Sequence, residues 1–324
     1  MESPLVFSDR HHNALTKSLE LLFEGRLKGQ LYFQKGMEWW EEGYFHVFPH
    51  IDTAKQYLER ELEGVKGVTL EEFKSMPFDI IVASLPQHIQ PFKKLIELYQ
   101  PQAKLIFQIG NAWSVEADSA PNVMASAVVN NIPSNVNFIT YHQEFDLNIF
   151  FPTFPSSIEK KISSFVNCFN TADHFQPDWK LFEETEKLMP DWGYKAYGGQ
   201  CRDGAAHGVM QIAEKMRGSG FIWNTKHGGD GYGHVIFNAA AIGRPLITKK
   251  EYYKNKLGEK LMIDGETCIA IDGLSPQEIK NKIEYYSDPE KYHIMCKKTY
   301  QNFQDHVDFS KEADNIKIFL ENLK

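Results

Sequence analysis

Apolar residues in the first half of the chain follow two alternating rhythms. Leu5-Val6-Phe7 is a short continuous apolar run and reads as a strand. Leu15, Leu19, Leu22 and Phe23 then recur at steps of three and four, the mark of a helix with one buried face. Residues 30–34 form a second strand. Residues 78–84 (FDIIVAS) predict a buried strand, and Ile89, Phe92, Ile96 and Tyr99 a helix. Residues 105–107 predict a strand ending at Gln108-Ile109-Gly110-Asn111, and 123–125 and 136–140 two more. Strand, polar loop, helix, strand is the opening of a parallel α/β sheet. About five or six β/α repeats predict one doubly wound domain ending near residue 150.

A stretch with two prolines, Phe151-Pro152-Thr153-Phe154-Pro155-Ser156-Ser157, reads as a linker, and the β/α pattern then restarts. Strands are predicted at 163–167, at 194–197 (closed by Gly198-Gly199) and at 221–223. Helices are marked by Leu181, Phe182, Thr185, Leu188 and Met189, and by Val209, Ile212, Ala213 and Met216. A strand at 267–271 lies between the turns Asp264-Gly265 and Asp272-Gly273. Ser275-Pro276-Gln277-Glu278 carries three helix-start signals: Ser as N-cap, Pro first, Glu at the capping-box position. Asp288-Pro289 opens another helix, and Ile316, Phe319, Leu320 and Leu323 mark a final amphipathic one. The expected organisation is therefore a domain at 1–151, a linker at 152–158, a second domain at 159–305, and a helix at 306–324 packing back toward the first.

Directly after the 221–223 strand comes Lys226-His227-Gly228-Gly229-Asp230-Gly231-Tyr232-Gly233-His234. Four glycines fall within six residues. Glycine accepts positive φ and lets backbone approach a ligand closely. A helix beginning at His234 would point its free N–H groups into the space above the loop, a natural anion site. Val235, Ile236, Ala239 and Ala240 share one face and read as core. His234 and Asn238 share another, so Asn238 and Asp230 are expected to reach a polar ligand. The loop leaves the carboxyl end of a strand, where ligands of such sheets bind. By the same rule Asp9, His11, His12 and Asn13 lie near a cleft, or else cap the first helix. The aromatic segment 37–45 (MEWWEEGYF) reads either as a stacking platform or as packing. His46 and His50 are four apart, but Pro49 argues against a helix that would aim both at one metal.

Composition narrows the field. The chain has 324 residues, 42% hydrophobic and 13% aromatic, with a net charge of −8. That is enough for two cores and does not suggest a general polyanion binder. Cys168, Cys201, Cys268 and Cys296 are scattered with no metal-binding spacing, as free thiols of a reducing compartment are. No signal peptide or membrane-spanning run is visible, which predicts a cytoplasmic protein.

The order of these features resembles a known family. The segment from Asp230 to Ile247 (DGYGHVIFNAAAIGRPLI) is similar to the E-G-F-G-x-x-x-x-E-A-x-A-x-G-x-P-V-I signature of retaining, nucleotide-sugar-dependent GT-B glycosyltransferases. Residues 145–152 (FDLNIFFP) resemble that family's G-V-D-x-x-x-F-x-P, and 260–267 (KLMIDGET) its D-G-x-T/N-G segment. The Ser275 and Asp288-Pro289 helices resemble its closing helices. The resemblance covers about residues 145–305, and the first domain in pattern only.

The resemblance implies two Rossmann-like domains facing a central cleft, and transfer of a hexose or pentose from a nucleoside diphosphate sugar with retention. The donor implied is foremost a UDP-sugar; the acceptor could be a glycan, a lipid-linked glycan, a small molecule or a modified nucleic-acid base. No cofactor or metal is implied. Asp230 would contact the transferred sugar and Asn238 the nucleotide ribose. Both replace glutamate: Asp230 is a methylene shorter, and Asn238 is uncharged but can still accept a hydrogen bond. The family's diphosphate-binding Arg and Lys have no counterpart in 167–173 (NCFNTAD). Arg202, Lys226, His227 and His234 are expected to replace them, with the amides of residues 232–234. Asp230 and His12 are the expected catalytic residues, with Asp9, His11 and Asn13 on the acceptor side. The departures leave open a catalytically silent protein that binds a sugar nucleotide or a partner.

Overall fold

The computed structural model describes residues 3–9, 13–44, 66–110 and 120–324. His11, His12, His46 and His50 lie outside the described residues. The chain divides into two compact units. One holds residues 1–145 together with 309–324, and the other holds Asp146–Asp308.

The first unit runs β1 (Leu5–Ser8), α1 (Asn13–Glu20), β2 (Gln30–Gln34), α2 (Glu38–Glu41), β3 (Lys66–Val68), α3 (Leu70–Ser75), β4 (Ile80–Ala83), α4 (Pro86–Tyr99), β5 (Lys104–Ile109), β6 (Asn122–Ala125) and β7 (Asn137–Thr140). Its strands are in the order β3-β2-β1-β4-β5-β6-β7, each parallel to its neighbour. Strands buried on both faces need no alternation, which is why IIVA of β4 is apolar throughout and wholly buried. One face is filled by Phe7, Trp39, Phe73, Phe78 and Phe92, the other by Val6, Phe23, Ile80, Val82 and Met124. The aromatic segment is packing at Trp39: the indole is fully buried, lies 5.1 Å from Phe7 in a stacked pair, and donates to Val68 O at 3.2 Å. β3 and α3 were not among the predicted elements. Thr69 caps α3 in a capping box with Glu72.

The second unit runs β8 (Lys161–Ser164), α5 (Gln176–Leu188), β9 (Gly193–Ala196), α6 (Gly208–Arg217), β10 (Phe221–Asn224), α7 (His234–Ile242), β11 (Leu246–Thr248), β12 (Cys268–Ala270), α8 (Pro276–Tyr286) and α9 (Pro289–His306). Strand order is β12-β11-β10-β8-β9, again all parallel. The order reverses between β8 and β10, and it is there that an open parallel sheet receives ligands. The core is aromatic, with Phe182 stacked edge-on against Trp223 and Tyr194. Ser275 caps α8 as the sequence predicts, its hydroxyl accepting from Glu278 N while Glu278 returns a bond to Ser275 N at 2.8 Å. Ser275→Ala is expected to cost about 1 kcal/mol, read as a small drop in melting temperature; a neutral result would mean that the cap contributes nothing.

A last helix, α10 (Phe309–Glu321), returns to the first unit, where Ala313, Ile316, Phe319 and Leu320 join the core beneath β4 and β6. Glu312 accepts from His142 N at 2.8 Å, and Arg26 joins Glu144 to Ser310. No helix among the described residues is long and apolar enough to cross a membrane.

Candidate functional site

β10 delivers the glycine loop to the switch point of the second sheet. Three of its glycines have positive φ: Gly228 at 73°, Gly229 at 67° and Gly233 at 82°. Gly229 has no room for a side chain, since a Cβ there would lie 2.2 Å from Tyr252 O. Gly233 is the N-cap of α7, and its left-handed backbone turns the loop into the helix. Tyr232 is buried under the loop and stacks on Phe237 with ring centroids 4.3 Å apart. Gly243, also left-handed, ends α7. Next to it, Arg244 is 3% exposed and spends its guanidinium on carbonyls of Ser219, Thr153 and Arg217 and on the Thr153 hydroxyl. Arg244, at a variable position of the signature, serves the fold.

Asn238 differs from the expectation. It is not on a polar face, because Ile236 through Ile242 are all buried. Asn238 is 9% exposed, and its Oδ1 is buried with no hydrogen-bond partner. Buried polar atoms are paired in the great majority of cases. An orphaned acceptor one turn into a helix that opens from a glycine loop is therefore an unfilled hydrogen-bond position.

Asp230 is ion-paired with Lys226. A second cation, Lys256, reaches the same loop and donates to Gly228 O. Burial pulls the Lys256 ammonium below its ordinary value, Asp230 pushes it up and Lys226 pulls it down again. Sequence reasoning missed Lys256. It also missed a set built on a buried carboxylate next to the loop. Asp178, at the start of α5, is fully buried and accepts from Lys249 Nζ at 2.8 Å and Tyr252 OH at 3.1 Å. Its other oxygen has no partner. Lys249 also donates to Tyr252 OH at 3.1 Å, and His227 Nδ1 lies 3.3 Å from the same oxygen. Burial pulls the Lys249 ammonium down, but its hydrogen bonds to Asp178 and Tyr252 carry it above its ordinary value overall.

Other expected residues go elsewhere. Arg202 spends its guanidinium on Glu186, Asp203 and Tyr194 O, over the Trp179 ring, and none of these partners is in the loop. In the segment after β8, Asn167 Oδ1 takes Gly199 N at 2.9 Å and Asn170 Oδ1 takes Arg202 N at 3.1 Å. Those asparagines shape loops where the resemblance implied cations. His234 is the first residue of α7, in edge-on contact with Tyr232. In the first unit, Asp9 is 2% exposed. It ties the tips of β1 and β4 together by accepting from Ser84 N at 2.9 Å and pairing with His88 Nδ1 at 2.6 Å. Its carboxylate is thus spent on the fold. Among the described residues no group of three or more His, Cys, Asp or Glu could hold a metal ion.

No protein-family model matches the chain, and none of the curated proteins matches it in sequence. Solved structures do match. HepE of Anabaena, in complex with UDP and glucose, is 13% identical with a TM-score of 0.64, over 99% of this chain and all of that one. An α-glucosyltransferase in complex with UDP and a 13-mer DNA containing a central A:G mismatch is 12% identical, with a TM-score of 0.65 over 97% of this chain and 98% of that one. A glycosyltransferase from Rickettsia africae is 10% identical, with a TM-score of 0.63 over 99% of each chain. The likeness at these identities is one of fold. The chain has the GT-B fold of those glycosyltransferases, built from two parallel-sheet α/β units.

Proposed function

We propose that this protein transfers a sugar from a nucleoside diphosphate sugar, foremost a UDP-sugar, to an acceptor nucleophile with retention of configuration. The observation that carries the reading is Asn238 Oδ1, a buried acceptor without a partner in the helix that the glycine loop opens. A ribose hydroxyl is the hydrogen-bond donor it lacks. The diphosphate would be met by the N–H groups at the start of α7 and by Lys226 and Lys256, in place of the Arg and Lys that the family carries just after the first strand of its second domain. Asp230, its carboxylate oriented by Lys226, would accept from hydroxyls of the transferred sugar. Stabilising the departing diphosphate by fixed donors is the main electrostatic task in such a transfer. The acceptor would bind on the first unit near Asn13, at the start of α1, with His11 and His12 as its proposed partners. Four free cysteines support a cytoplasmic setting.

The test is a thermal-shift and nucleotide-release screen over UDP-, GDP-, ADP- and dTDP-sugars. At a hundred times Kd, a true donor should stabilise the fold by about 2.7 kcal/mol. Asp230→Ala should cut release about 10- to 100-fold, the worth of a hydrogen bond to a charged group. If no nucleotide sugar stabilises the protein, the reading fails. The anomeric configuration of the product tests retention, and EDTA tests whether a metal takes part. Two observations favour a second reading: Asp230 is already occupied by Lys226, and the second acidic position is neutral. A silent binding protein would be stabilised by a nucleotide sugar and release no nucleotide with any acceptor. The DNA in the α-glucosyltransferase complex makes a nucleic-acid base one acceptor to include, against the net charge of −8.

A further inference from the structure

Counting hydrogens around Tyr252 fixes the chemistry of His227. A tyrosine hydroxyl has one hydrogen to give and two lone pairs to offer. The hydrogen goes to Asp178 Oδ1 at 3.1 Å, a carboxylate oxygen that Lys249 also pairs with and the strongest acceptor in reach. Burial, opposed by the Lys249 hydrogen bond and helped by the Asp178 charge, raises the Tyr252 hydroxyl above its ordinary value and keeps that hydrogen in place. One lone pair takes Lys249 Nζ at 3.1 Å. What remains for His227 is a lone pair, so across 3.3 Å it is His227 Nδ1 that carries the hydrogen. A neutral imidazole has a single N–H. With that hydrogen on Nδ1, Nε2 is a bare acceptor. It has no protein partner among the described residues, and His227 is exposed at the mouth of the loop.

We infer that His227 is a specificity residue that accepts a hydrogen bond at Nε2 from a hydroxyl of the donor, and that Asp178, Lys249 and Tyr252 are positioning residues that lock its tautomer. The inference rests on the loop being a nucleotide-sugar site, and it reverses the expectation that His227 donates to phosphate. Phosphate oxygens at neutral pH have no hydrogen to give, whereas sugar and ribose hydroxyls do. The lock spans the first turn of α5, the short turn Lys250–Tyr253 with Lys249 as its N-cap, and the loop itself.

Two measurements test this. The first needs no ligand. Nitrogen-15 NMR of histidine-labelled protein at mildly alkaline pH should show His227, assigned by its loss in His227→Asn, with its hydrogen on Nδ1. Tyr252→Phe should return it to the Nε2–H form. A wild-type Nε2–H signal, or no change in Tyr252→Phe, overturns the lock. The second compares UDP-glucose, UDP and inorganic pyrophosphate. His227→Asn keeps an N–H where Nδ1 was but has nothing at Nε2. It should weaken UDP-glucose about 10-fold. UDP unchanged points to the transferred sugar, and UDP weakened alike points to the ribose. His227→Gln, whose amide oxygen reaches the Nε2 position, should recover most of the loss. Weakened pyrophosphate binding, or a glutamine variant as poor as the asparagine one, overturns the acceptor role. A wild type that binds no nucleotide sugar removes that role together with the proposed function, while the NMR arm still reads the lock.

Discussion

Asp178→Ala should lower stability by about 3 kcal/mol, near the low end for removing one partner of a buried ion pair. The carboxylate is fully buried, and Lys249 retains only 17% side-chain exposure. Without Asp178 the Lys249 ammonium and the Tyr252 hydroxyl face a space with no acceptor. The measurement is the urea midpoint at unchanged slope. Asp178→Asn keeps an oxygen at the same place and should cost less, and replacing Asp178 and Lys249 together by apolar residues of like volume should recover much of the loss. If Asp178→Ala were neutral, the pair would be incidental. The pair's pH dependence has a definite sign. Because the fold raises the Lys249 pKa, its contribution is complete below the ordinary lysine value of about 10.4 and is lost only as pH rises through the higher folded value. The Lys249 contribution is therefore complete at neutral pH.

Gly229→Ala should weaken the binding of any nucleotide sugar about 100-fold. A left-handed alanine alone costs about 1–2 kcal/mol. Here the new methyl would also lie 2.2 Å from Tyr252 O and 2.5 Å from Lys256 Nζ. Lys256 can swing away, but a carbonyl fixed in the Lys250–Tyr253 turn cannot, so the loop must move instead. Gly228 supplies the control. It also has positive φ, but a Cβ there would meet nothing within 4 Å. Gly228→Ala should carry only the left-handed strain and bind within a few-fold of wild type, about 1 kcal/mol. Equal effects at the two positions in calorimetric titration would refute the packing argument.

The loop and α7 could be read from the chain because their signals are local. Glycines clustered after a strand, a helical run of small and apolar residues, and Gly243 before the next strand each act over a few positions. Ser275 was equally readable, its capping box contained within four residues. β3 and α3 carried the same kind of signal, since Thr69-Leu70-Glu71-Glu72 is a capping-box sequence, but β3 has only three residues and presents no periodicity. Asn238 misled because a polar residue four from His234 suggests an exposed stripe, whereas β10 and α9 pack against α7 and leave that residue enclosed. Asp178, Lys249, Tyr252 and Lys256 gave no signal. They converge on the loop from α5 and from two short turns, 20 to 50 residues away in sequence, and only the folded sheet brings them together. Arg202 failed for the opposite reason. A positive charge near a glycine pair looks available until Glu186 and Asp203 are seen to hold it.

The return of α10 to the first unit has a consequence for biosynthesis. Residues 146–308 form an uninterrupted unit, whereas the first unit needs α10 to cover Phe23, Val82 and Met124. A ribosome therefore finishes the second unit while the first still presents a bare apolar surface. Ordinarily the N-terminal unit matures first during synthesis. Here the nascent first unit must stay soluble through the translation of more than 160 further codons before its last helix emerges. That window is when a chaperone would engage the chain. A released fragment ending near residue 308 should be protease-resistant in its second half and sensitive in its first.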